Sequence, residues 1–451
     1  MALRTMIKSL ALFFTLPVLF AASMTAHAQQ SGRDKLAAHT DEFRKDLIEV
    51  TDGVYVAVGY ALANSILIEG DDGVIIVDTT ESKTAAREVK ALFDTVTSKP
   101  VKAIIYTHNH ADHISGASIF AGDDNPEIYS HETTMRYVDR IFNLILPIIL
   151  VRTTRQFGIP LPEDQFLNDG IGLRLRLDGA FGGGFIPPTK TFADMMDIEV
   201  AGVKITLVHA PGETDDQLFV WLPDKKTLLP GDNFYKAFPN LYAIRGTKYR
   251  DVRKWADSLD KMLQYDIEYL VPSHTRPISG KARIRSLLTD YRDAIRFVHD
   301  ETIAGINKGL TPEQLVESVK LPSRLAENPY LAEYYGTVAW SVRNIYTGYL
   351  GWFDGNATNL FPMSTRDRAE HIADLAGGAE VLLDELRKAL EAGDHQWAAE
   401  LADLVIALDP DAAEPKLLKA DALTALGEKQ ISANGRNYYL TRALQLRRAA
   451  K

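Results

Sequence analysis

The stretch that most constrains the fold is Thr107-His108-Asn109-His110-Ala111-Asp112-His113. It follows the apolar run at residues 101–106, which reads as a buried strand, and precedes Ile114-Ser115-Gly116. Three imidazoles and a carboxylate thus stand at one strand exit. From so short a loop the side chains point in different directions, so one ion cannot take all four. Two adjacent ions can: His108 and His110 aim at one, Asp112 and His113 at the other. Imidazole with carboxylate suits zinc or a similar divalent ion. A polar loop whose histidines merely cluster would not be so dense or so closely tied to a strand.

Other strand exits repeat this placement. Residues 54–58, 64–68, 73–78, 126–130, 198–200, 203–208 and 218–222 read as strands, with helical spacing at 81–96 and 132–143 between some of them. Strands alternating with helices predict a layered α/β sandwich. Glu213 (in Pro211-Gly212-Glu213), Asp232 (in Pro230-Gly231-Asp232) and His274 (in Val271-Pro272-Ser273-His274) all follow apolar runs. Singly, each is an ordinary solvated or packing residue. Jointly, they complete a ligand set: His108, His110 and Glu213 on one ion, Asp112, His113 and His274 on the other, and Asp232 between them. Two divalent ions, three carboxylates and a bridging hydroxide leave the core formally neutral. A metal-bridging hydroxide is available near neutral pH, because zinc lowers the pKa of bound water to about 7. The chemistry is metal-assisted hydrolysis, with Asp112 and Asp232 assigned to catalysis as well as to the metals. An anionic substrate would need a cation of its own. Arg245 offers a planar fork and Asn240 a neutral donor, both shortly after Asp232.

Composition bounds the partners and the address. The 451 residues carry a formal charge of −10, which argues against a nucleic-acid partner. Residues 1–28 read as a signal peptide: Arg4 and Lys8 are basic, residues 10–22 are apolar, and Ala26-His27-Ala28 is a small-x-small cleavage site. A periplasmic or secreted protein is expected, with no stable membrane span after cleavage. There is no cysteine, so every metal ligand must be His, Asp, Glu or backbone. Residues 142–151 are apolar but short, and suit a buried helix or a substrate wall. Residues 161–191 hold many glycines and read as a surface loop or a loop lining the site. From about residue 300 the pattern is helical, and Gly393-Asp394 and Asp409-Pro410 punctuate a helical-repeat hairpin suited to interaction or dimerisation.

His108-x-His110-x-Asp112-His113 with Asp232 and His274 resembles the metallo-β-lactamase superfamily, an αββα sandwich of two-zinc hydrolases. Pro211-Gly212-Glu213 in place of Pro-Gly-His, and the spacing of Asn240 and Arg245, are similar to the class III alkylsulfatases, in which that pair contacts the sulfate. Tyr349-Leu350-Gly351-Trp352-Phe353-Asp354-Gly355-Asn356 and Asn437-Tyr438-Tyr439-Leu440-Thr441 look like that family's helical dimerisation domain. The resemblance implies an αββα metallo-β-lactamase sandwich at residues 29–300, an all-α dimerisation domain at 301–451, and a homodimer. It implies two zinc ions per chain and hydrolysis of a small alkyl or aryl sulfate ester, with attack at sulfur or carbon left open. The sequence departs from the pattern in three places. Asp232 stands where alkylsulfatases carry Glu. Trp340 stands where a histidine lies near the ester oxygen as a proton donor. No sterol-carrier-like segment follows in this sequence, which points away from long-chain detergents. Two other readings remain open: a superfamily hydrolase of another ester or amide (phosphate or phosphonate ester, lactone, β-lactam), and a metal-stabilised dimeric binding protein.

Overall fold

Short runs rich in Val and Ile favour pleated backbone, because branching at Cβ restricts the side chain and packs well on a sheet. Seven strands form the first sheet, most of them such runs, in chain order: β1 (Asp46–Thr51), β2 (Val54–Val58), β3 (Ser65–Glu69), β4 (Val74–Val77), β5 (Val101–Ile105), β6 (Glu127–His131) and β7 (Lys190–Phe192). β1 to β4 pair antiparallel, and β4 to β7 parallel. Six more form the second sheet: β8 (Met195–Val200), β9 (Val203–His209), β10 (Leu218–Leu222), β11 (Thr227–Leu229), β12 (Tyr269–Leu270) and β13 (Ile278–Ser279), again in chain order. There β11 and β12 are parallel and the other pairs antiparallel. This computed structural model describes residues 31–177 and 183–451. The expected signal peptide at 1–28, with Gly179 and Gly182 of the glycine-rich stretch, lies outside the described residues.

The two sheets face each other across a dry layer in which Val56, Ile66, Val77 and Ile105 meet Leu207, Val220, Leu229 and Val271. β4 and β10 are buried along their whole length, as strands covered on both faces must be. Outside the first sheet, helix α1 (Lys83–Phe93) lays Ala86, Val89 and Phe93 on Leu67, Ile76 and Ile104. Outside the second lie α3 (Val252–Met262), α4 (Lys281–Ile306) and α5 (Val338–Leu350); α2 (Leu146–Gln156) lies earlier in the chain. Trp255 and Leu259 of α3, Leu288 and Ile295 of α4 and Val342 of α5 share one core with Phe219 and Leu228. The layers are therefore helix, sheet, sheet, helix, as expected. Five helices complete the chain: α6 (Thr365–Ala376), α7 (Ala379–Glu391), α8 (His395–Leu408), α9 (Ala413–Lys429) and α10 (Ala433–Ala449). They pack as successive neighbours around Leu386, Leu401, Leu423 and Leu446, and α10 also contacts α2.

Several local expectations are refined. The expected boundary at residues 300–301 falls inside the continuous 26-residue helix α4. Residues 31–451 form one compact unit. The helix expected at 132–143 is a short α-turn, Thr134–Asp139, followed by a π-turn, Arg140–Ile145. The apolar stretch at 142–151 divides: Ile149 is buried, whereas Leu144 is 74% and Ile148 53% exposed. It is a wall rather than a buried helix. No helix among the described residues is long and apolar enough to cross a membrane.

The helical half is tied to the sandwich at Gly336. A Cβ there would lie 2.1 Å from the Pro239 carbonyl oxygen and 2.7 Å from Asn240 Cα. Backbone cannot yield as a side chain does. Gly336→Ala is therefore expected to lower stability by about 1–3 kcal/mol, read as a lower midpoint in urea unfolding. An unchanged midpoint would show that this contact is slack.

Candidate metal centre

Strand direction brings the site together. β4 and β5 run parallel and exit at one edge of the first sheet. In the second sheet β10 runs against both β9 and β11, and β12 is parallel to β11, so β9, β11 and β12 also share an exit edge. The loop at 107–113 follows β5, Glu213 follows β9, Asp232 follows β11 in a 3-10 turn (Gly231–Asn233), and His274 follows β12. Glycine is required at position 212: a Cβ would sit 1.9 Å from Asn233 Oδ1. That side chain also accepts from the Glu213 amide at 3.3 Å.

Two triads result. Ligand atoms of His108, His110 and Asp232 lie within 4.8 Å of one another, and so do those of Asp112, His113 and His274. Asp232 Oδ2 serves both groups, at 3.7 Å from His108 Nε2, 3.4 Å from His113 Nε2 and 3.3 Å from His274 Nε2. Asp112 Oδ2 lies 3.4 Å from His113 Nε2 and 3.5 Å from His274 Nε2. Ligands about 2.0–2.2 Å from a tetrahedral zinc stand about 3.3–3.6 Å apart, so the second triad with Asp232 has the spacing of a coordination shell. Buried atoms without a hydrogen-bond partner lie in the same places: His113 Nε2, His274 Nε2, Asp232 Oδ1 and Glu213 Oε2. Orphaned buried polar atoms are costly unless a ligand satisfies them. The donor set therefore fits divalent metal ions.

The imidazoles are oriented from behind. His274 Nδ1 faces the Leu62 carbonyl at 3.0 Å. A carbonyl only accepts, so Nδ1 carries the hydrogen and Nε2 turns its lone pair inward. His113 Nδ1 meets Asp78 Oδ2 at 2.8 Å. His108 Nδ1 meets Thr107 Oγ1 at 3.0 Å, and that hydroxyl donates to Asp78 Oδ2 at 2.9 Å. Asp78 also accepts from the Thr107 amide (2.9 Å) and the Ser273 hydroxyl (2.7 Å). One buried carboxylate thus fixes loops from both sheets. Its backbone has φ 58°, a strained conformation of the kind that gathers at functional sites. Burial drives His108 down to about 3, with a further push from His113. Burial also opposes charge on His274, yet Asp232 and Asp112 outweigh it and raise the group to about 10. The carboxylates draw in positive charge, which a metal supplies more fully than a proton.

Glu213 stands apart from both triads. Its Oε1 accepts from Arg250 Nη1 at 2.7 Å, leaving Oε2 free. Burial, with Arg250 pulling the other way, pushes its carboxyl up. Arg245 lines the cleft, its Nη2 3.2 Å from His110 Nε2, whereas Asn240 is fully buried with both amide atoms unpartnered and is not among the described residues lining the cleft. Arg250 and Arg140 line the same cleft, so the expectation of a single arginine is corrected to three. Nothing in the sequence marked Arg250. Asp78 was more legible, since it ends the apolar run 73–77 as Asp232 ends another. Above the centre the cleft walls are apolar, with Leu62, Ile141, Phe142, Ile149, Phe157 and Ile171. Ile171 comes from the glycine-rich stretch, which here lines the site. Trp340 is not among the described residues lining the cleft. Its ring lies beside Gly435 of α10, 3.5 Å from where a Cβ would stand, whereas Tyr335 does line the cleft. Position 340 thus supplies a packing contact.

Comparison with known proteins agrees with this geometry. A model described as the metallo-beta-lactamase superfamily matches residues 58–274, and one described as alkyl sulfatase dimerisation matches 311–449. A linear primary-alkylsulfatase of a Pseudomonas species is 41% identical over 389 residues, covering 84% of this chain and 73% of the relative. A second enzyme of that description, also from Pseudomonas, is 32% identical over 414 residues, 89% of this chain and 61% of the relative. The solved structure of a stereoselective inverting sec-alkylsulfatase from Pseudomonas superposes with a TM-score of 0.88 at 27% identity, over 94% of this chain and 69% of that one.

Asp78→Ala should weaken metal binding about 10–100-fold, the usual effect of removing an outer partner of a ligand. Competition against a chromogenic chelator measures it. Unchanged affinity would mean that the imidazoles hold their orientation without Asp78.

Proposed function

Because the chain belongs to the alkylsulfatase family of the metallo-β-lactamase superfamily, we propose that it hydrolyses alkyl or aryl sulfate esters at a centre of two zinc ions. The observation that carries this reading is Asp232 Oδ2, within 3.3–3.7 Å of imidazoles from both triads, beside a cleft containing Arg245 and Arg250. Zinc at this centre supplies a water that is nucleophilic near neutral pH.

The chain's own groups do the rest. His108, His110 and Asp232 would hold one ion, with Glu213 Oε2 beside them, and Asp112, His113 and His274 would hold the other. Asp112 and Asp232 carboxylate oxygens stand at this position, where one could accept the proton that water gives up. Arg245 and Asn240 bind the sulfate oxygens, where a guanidinium fork makes charge-assisted bonds. The apolar wall of Ile141, Ile149 and Phe157 takes the hydrocarbon part of the ester and keeps water from it. The family match over 311–449 and the exposed Trp352, Phe361 and Leu375 support a homodimer, since large exposed apolar side chains in one region mark an interface. The sequence of residues 1–28 supports export to the periplasm or beyond.

One panel tests the reading. The mature protein, loaded with zinc, is assayed on aryl sulfates, primary and secondary alkyl sulfates, a phosphodiester, a phosphate monoester and a β-lactam. Sulfate esters are expected to turn over, and chelation to abolish that turnover. Three guanidiniums in the cleft, Arg140, Arg245 and Arg250, make phosphate esters the sharpest rival. Turnover of these without sulfate esters would replace this reading, and zinc binding with no turnover would favour a binding protein.

A further inference from the structure

A buried ion pair is tolerable when each remaining donor and acceptor is satisfied, because both charges have left water. Arg250 and Glu213 break that rule. Their side chains are each 2% exposed and meet through a single pairing, Nη1 to Oε1, at 2.7 Å. Arg250 Nη1 also donates to the Asn240 carbonyl. Arg250 Nε and Nη2, Glu213 Oε2 and both atoms of the Asn240 amide are buried without partners. Arg250 and Glu213 line the cleft at the metal centre together with Arg245. The pair is half satisfied, and its free ends have opposite sign: an oxygen suited to a cation and an N–H edge suited to an anion.

We propose that Arg250 joins the two halves of the site: Nη1 pins Glu213 so that Oε2 serves the metal, while the Nε–Nη2 edge binds a sulfate oxygen opposite Arg245. Arg250 is then a substrate-binding residue as well as a positioning one. It offsets the charge of Glu213, so an anion meets two guanidiniums rather than one beside a neutral core. The bond to the Asn240 carbonyl sets the second sulfate donor from the same guanidinium. Lysine at this position would keep the charge but not the fork, which makes the three bonds separable from simple electrostatics.

The inference rests on the sulfate-ester reading, and the test separates the two. Zinc-loaded wild-type protein is crystallised with inorganic sulfate, and sulfate affinity and zinc content are measured for the wild type, Arg250→Lys and Arg250→Met. A sulfate oxygen is expected within hydrogen-bond distance of Arg250 Nε or Nη2 as well as of Arg245. Arg250→Lys should weaken sulfate binding on the order of tenfold or more, the worth of a charge-assisted bond. Arg250→Met should in addition lose zinc from the His108–His110 position. The wild-type crystal keeps the test decisive if a variant does not fold. Sulfate held by Arg245 and Asn240, with both Arg250 nitrogens beyond about 3.5 Å, would overturn this proposal and leave the sulfate reading standing. Arg250→Lys binding sulfate and zinc as tightly as the wild type would overturn it in the same way. A wild-type protein that keeps zinc but binds no sulfate would overturn both.

Discussion

Asp112, Asp232 and Glu213 are brought with four imidazoles into a region almost closed to water, and such a cluster is stable only if positive charge enters with it. Isolated carboxylates in a dry interior cost far more than a domain's net stability. The protein supplies part of the compensation itself: Arg250 on Glu213, and protons drawn onto His274 and His113. It leaves the remainder open, as unpartnered oxygens on Asp232 and Glu213, and a metal ion would displace the protons from His113 and His274. The charge that must arrive defines the centre.

The fold exists around that demand. Two mixed sheets deliver five loops to one edge because β4 and β5 share a direction, as do β9, β11 and β12. Asp78 ties the loop after β5 to the loop after β12, so the sheets cannot shift relative to one another without breaking the imidazole geometry. Helices on the outer faces bury both sheets, and the helical half adds Tyr335 and the Gly336 contact at Pro239–Asn240. Catalytic geometry and global packing therefore depend on the same contacts.

Much of this was legible in the residues. The density of His108, His110, Asp112 and His113 after an apolar strand revealed two triads, because ligand type and strand exit are local properties. Asp232 and His274 were found by the same rule, and family spacing pointed to Arg245, which lines the cleft. Arg250 was not, since a buried arginine looks like any surface arginine until its partner, 37 residues away, is in place. Trp340, which stands where the family carries a proton-donating histidine, packs its ring beside Gly435 instead. The π-turn at Arg140–Ile145 was also hidden, because its apolar spacing resembles an ordinary helix.

The proposed centre has two metal ions sharing Asp232. Anomalous X-ray scattering from crystals of the zinc-loaded protein, recorded at the zinc edge, tests it directly. Two peaks about 3.5–4 Å apart are expected, one beside His108, His110 and Glu213 Oε2, the other beside Asp112, His113 and His274, with Asp232 touching both. A single peak, or two peaks of which Asp232 touches only one, would contradict it.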